Sequence, residues 1–90
     1  MRHQINITEA VEIVQRARQP KGWSFHREIL DALLGQDGAA GLRIYAGRDA
    51  RGQDTPVVVA VTKDGADIVG LIAEEAKPCP PYCDAGSPLA

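Results

Sequence analysis

The chain has 90 residues, enough for one domain, and its 10 Lys/Arg against 12 Asp/Glu give a net charge of −2. That balance argues against the broad basic face of a nucleic-acid binder, and no apolar run approaches the roughly 20 residues of a membrane-spanning helix. Hydrophobic residues make up 44%, which is ordinary, yet a chain this short buries only about two-thirds of its unfolded surface. Added stability then has to come from a second copy, a disulfide or a metal.

The opening MRHQINITEA has one Lys/Arg and no apolar core, so it reads as a short extended arm over 1–7 and not as a secretory signal. The expected compartment is the cytoplasm. Thr8 fits an N-cap, and Ala10, Ile13, Val14 and Ala17 recur at helical spacing, which predicts a helix over 9–18. Glu9 and Glu12 suit its start, Arg16 and Arg18 its end. Pro20 and Gly22 close it. Lys21-Gly22-Trp23 is a connector carrying the only Trp; large aromatics are highly buried on average, so Trp23 is expected to plug the gap between two helices, an exposed contact being the other reading. Phe25, Ile29, Leu30, Leu33 and Leu34 then form the face of a second helix, with Gly35 as its C′ residue. Gly35, Gly38 and Gly41 share a phosphate-loop spacing, but they follow a helix and precede a strand, so a plain loop explains them better.

Leu42 to Val61 reads as a hairpin. Leu42, Ile44 and Ala46 alternate with Arg43, Tyr45 and Gly47, which puts the first set on a core face. Val57-Val58-Val59-Ala60-Val61 is β-branched and continuous, so it belongs at the centre of a sheet with cover on both faces. Pro56 cannot donate to a ladder and is expected at that strand's entrance. Lys63-Asp64-Gly65-Ala66 is a tight turn into a third antiparallel strand over 67–72, a short helix being the competing assignment.

Residues 77–90 hold four of the six prolines and both cysteines, which reads as an irregular tail. Cys79 and Cys83 admit three states. They are reduced and structural, as suits a cytosolic chain. Or they form a disulfide, within the chain or between copies; a local bridge closes too small a loop to add much stability and would mainly fix the tail's shape. Or they bind zinc with His3 and His26, a sound tetrahedral set that lacks motif spacing. A thioredoxin-like role needs C-x-x-C, which C-x3-C is not.

No constellation supports catalysis. His26 lies two residues from Ser24, where the two cannot face each other on a helix, and no acid completes a triad. Asp64, Asp67, Glu74 and Glu75 read as turn and surface carboxylates. The expectation is a protein that is not an enzyme and needs no cofactor. Residues 1–51 carry eight Lys/Arg against six Asp/Glu, a net of +2, and residues 52–90 two against six, a net of −4. This polarity would suit head-to-tail or two-fold association, but on so short a chain chance is the better explanation.

The run FHREILDALLGQDGAAG into LRIYAGRD, then VVVAVTKDGADIV, PCPPYC and a terminal SPL resembles a group of small bacterial proteins with no established activity. The resemblance covers about residues 25–89. It implies only that Cys79, Cys83 and Ser87-Pro88-Leu89 belong to a shared design; Ala90 stands where a polar last residue would be expected.

The expected fold is α+β: two N-terminal helices packed on a small antiparallel three-stranded meander over residues 1–76, then an irregular Pro/Cys tail over 77–90. One copy offers too little apolar material to cover the valine strand, so the chain is expected to be a non-enzymatic assembly or interaction protein, a homo-oligomer or a binder of another protein. Its sheet or its tail would make the contact, through Trp23, Tyr45, Pro80, Pro81, Tyr82 and Leu89. The alternative is a zinc-binding or thiol-redox-responsive module built on Cys79 and Cys83.

Overall fold

The computed structural model describes residues 2–18 and 20–90; Met1, at the head of the expected arm, and Gln19 lie outside them. In chain order the elements are α1 (Ile7–Gln15), β1 (Gly22–Ser24), α2 (Arg27–Leu34), β2 (Gly41–Arg48), β3 (Asp54–Val61), β4 (Asp67–Ala73) and β5 (Lys77–Cys79). They make two antiparallel sheets, a meander ordered β2-β3-β4 and a ribbon of β1 with β5.

The meander matches the expected three strands, with the valine run at its centre. β2 and β3 pair without interruption from Gly41↔Val61 to Arg48↔Asp54. The turn into β4 uses Gly65 at φ 88, a left-handed value that glycine adopts freely, and the Thr62 hydroxyl accepts from the Ala66 amide at 3.0 Å. Between β3 and β4 the register slips: Ala60 faces Ile68, but Val58 faces Ala73. Pro56 is not at the entrance of β3 but is its third residue, buried opposite Ala46. Alternation turns its nitrogen away from β2, beyond the last β3–β4 pair, where no ladder bond is missing.

The core lies between α2 and the β3–β4 side of the meander. Leu33, Val58 and Ala73 are its buried centre, with Phe25, Ile29, Leu30 and Leu71 packed around them. Leu34 does not join that face and stays exposed. Gly35 caps the helix at φ −78, so it is not the left-handed residue expected there; Gly38, three residues on, takes φ 82.

The remaining architecture corrects the expected fold. Among the described elements α2 is the helix packed on the meander, and α1 buries none of its residues. α1 also begins earlier and ends earlier than 9–18. Asn6, not Thr8, is its N-cap, with Oδ1 accepting from the Glu9 amide at 2.8 Å; Asn caps at least as well as Thr. The connector around Trp23 is a strand, and the tail is not irregular at its start. Gly22 pairs with Cys79, Trp23 with Pro78 and Ser24 with Lys77, and the Lys21 amide donates to the Cys79 carbonyl at 2.7 Å. In a two-stranded ribbon every residue has an edge beside it, which is the setting where a strand tolerates proline.

Candidate interaction surface

Trp23 sits on β1, opposite Pro78 of β5. It is 37% exposed and paired within that ribbon, so it does not plug a gap between the two helices. Three adjoining recesses share it. One, of about 620 Å³, runs between the ribbon and the β2–β3 turn and is lined by Trp23, Asp54, Glu74, Pro81 and Tyr82. A second lies along β2 and is lined by Trp23, Ile44, Tyr45, Ala46 and Pro56. The third meets α1 and the chain's end at Val14, Trp23, Tyr82 and Leu89. Of the expected contact residues, Trp23, Tyr45, Pro81, Tyr82 and Leu89 thus fall on one connected surface. Pro80 lies beside Pro20 and Pro78, in a recess that does not include Trp23.

The ribbon's far end is held by local ties. Cys79 and Cys83 form an intrachain disulfide with their Cα atoms 4.7 Å apart, so the local bridge is the state the structure contains. Both peptide bonds around Pro80 are cis. The Tyr82 amide donates to the Pro78 carbonyl at 2.9 Å, and the Lys77 ammonium sits 5.6 Å from the centre of the Tyr82 ring, within cation–π range. Among the described residues no group of three or more His, Cys, Asp or Glu side chains comes together, so Cys79, Cys83, His3 and His26 are not assembled as ligands.

Directly opposed residues of an antiparallel sheet share a face. One face of the meander therefore carries Leu42, Ile44, Ala46, Val58 and Ala60, the side on which α2 sits. The other carries Arg43, Tyr45, Val57, Val59, Val61 and Asp67. On this second face Arg43 Nη1 reaches Asp67 Oδ1 at 2.5 Å and the Gly65 carbonyl at 3.1 Å, while the Tyr45 hydroxyl donates to Asp67 Oδ2. Strands lie about 4.8 Å apart, so this tie from β2 to β4 crosses over β3. The Tyr45 hydroxyl, and after it Arg43, hold the Asp67 carboxyl below its ordinary value, and Arg43 is raised in turn.

Two features of this surface escape a reading of the residues. Asp67 reads as an unpaired surface carboxylate, and only the hairpin register places it on the face of Arg43 and Tyr45. Ile44 reads as core from its alternation, but it is 67% exposed, with Leu42 half-exposed beside it. No helix among the described residues is long and apolar enough to cross a membrane. No protein-family model matches the chain, and neither a curated protein nor a solved structure matches it.

Proposed function

We propose that this chain is a non-enzymatic assembly protein that associates with further copies of itself through the meander. The observation that carries this reading is an excess of surface. A folded monomer of 9.6 kDa exposes about 5,100 Å² on the general scaling of area with mass. This chain exposes 7062 Å², and its radius of gyration of 14.5 Å exceeds the roughly 12 Å of a compact chain of its length. The difference, near 2,000 Å² for one chain, is more than the roughly 800 Å² that each partner of a standard stable contact removes from water. The valine strand does not supply the reason: Val58, Val59 and Ala60 are each at most 3% exposed within one copy. The uncovered material is at the periphery: Ile44 and Tyr45 on β2, Val69 and Ile72 on β4, Ile7 and Ile13 on α1, and Trp23 and Tyr82 on and beside the ribbon.

A second reading, a thiol-redox-responsive module, is favoured by the Cys79–Cys83 bridge beside the Trp23 strand. Sulfurs joined to each other are not thiolates and cannot ligate zinc, so the metal form of this reading would first require reduction. In a reducing cytoplasm the pair would be thiols. Light scattering coupled to size exclusion, run with and without dithiothreitol, tests both readings. Self-association predicts a mass above 9.6 kDa that rises with concentration in either buffer. A strict monomer at high micromolar concentration in both buffers removes the first reading. A mass and Trp23 fluorescence that are unchanged by reduction remove the second.

A further inference from the structure

We infer that the contact between copies is the outer edge of β2, paired antiparallel with the β2 edge of a second chain about a two-fold axis at Ile44. The inference rests on the self-association reading and adds the partner surface and its register.

The meander has two free edges, and they differ. β4 is broken by the slip between Val58↔Ala73 and Ala60↔Ile68, and a bulged edge makes a poor template for another strand. β2 is regular over eight consecutive pairs with β3, contains no proline, and has no strand on its other side among the described residues. Its outward backbone groups can be assigned. The Asp49 amide donates to the Gln53 carbonyl at 2.8 Å, which closes the hairpin as a bonded pair. Bonded and non-bonded pairs alternate from there, so the odd-numbered residues of β2 bond to β3. Leu42, Ile44 and Ala46 then turn their N–H and C=O groups to the open side.

Side chains select the register. An in-plane continuation of the sheet keeps each face on its own side, so paired positions must have the same parity. Centring on Ile44 sets it against itself and Leu42 against Ala46 of the partner, joining the apolar strips that each α2 leaves bare. On the other face Arg43 meets the partner's Tyr45, and no two like charges are opposed. Centring on Tyr45 instead sets Arg48 against Leu42 of the partner. The six-stranded sheet that results has Ile44 at the middle of its α2 face, where neither α2 covers it, and extends the apolar surface along which Trp23 lies.

Opposed Cα atoms in a bonded antiparallel pair are about 5.5 Å apart, inside the range a disulfide spans. An Ile44→Cys chain, treated with diamide as oxidant, is therefore expected to form a covalent dimer in which the two introduced thiols, one from each copy, lose their protons and two electrons to diamide. Val69→Cys, on β4, is expected to stay uncrosslinked. Ile44→Lys, at a position exposed enough to tolerate it, is expected to reduce association at least tenfold with the circular dichroism spectrum unchanged. Crosslinking through Val69→Cys and not Ile44→Cys would overturn the β2 assignment. So would an Ile44→Lys chain that associates as the parent does, a result that leaves self-association standing. A parent chain that is monomeric throughout overturns both.

Discussion

At the residue scale, Asp67 ties β4 to β2 across the sheet. It accepts from Tyr45 and from Arg43, and both partners favour its ionised form. A carboxylate whose folded value is depressed adds stability above its unfolded value, and that contribution fades as pH falls through the folded one. The parent is therefore expected to resist urea better than Asp67→Asn at neutral pH. The gap should narrow below about pH 4, the ordinary aspartate range, and close once Asp67 is protonated. Urea midpoints of both chains at a series of pH values measure this; a gap that stays constant down to pH 2 would remove the tie from the account of stability. Arg43 and Tyr45 sit two apart in an alternating strand, so their common face is legible in the sequence. Their partner is not, because Asp67 lies 24 residues from Arg43 and is delivered by a turn.

At the element scale, the hairpins were legible and the ribbon was not. Alternation over Leu42–Gly47, β-branching over Val57–Val61 and the Asp64-Gly65 turn are local signals, each complete within a few residues. β1 and β5 have three residues each and lie more than 50 apart in the chain, too short for any period to register. The exposure of Ile44 also has a geometric cause. A helix about 10 Å across spans roughly two strands at 4.8 Å spacing, so one helix on a three-stranded sheet leaves part of its face uncovered. The sequence reads both helices as covering the sheet; with α1 burying none of its residues, α2 alone reaches all three strands and leaves Ile44 of β2 exposed. The same geometry concentrates the core on α2, where Leu33 is fully buried and its neighbour Leu34 is 46% exposed. Leu33→Ala is expected to cost about 2–5 kcal/mol, a large part of a small domain's stability, and Leu34→Ala less than about 1 kcal/mol. Urea unfolding followed by circular dichroism separates them. Equal losses at the two positions would mean that α2 does not pack as described.

At the scale of the whole molecule, a thin core and surplus surface tie folding to concentration. Five buried hydrophobic residues form the described core of a chain that exposes 7062 Å². Anything that binds only the folded state stabilises it by mass action, and for a self-associating chain that ligand is the chain itself. Each tenfold rise in concentration adds about 1.4 kcal/mol per dimer, or roughly 0.7 kcal/mol per chain. For a domain of this size that corresponds to a rise of about 3–5 °C in melting temperature per decade. The parent is expected to follow that slope above its dissociation constant and to lose it when diluted below. Ile44→Lys, which leaves the α2 core untouched but places a charge on the open edge, is expected to melt at one temperature across the same dilution series. A parent with a flat profile over two decades of concentration would mean that one copy is stable with its edge bare, because its surplus surface would then contribute nothing to folding.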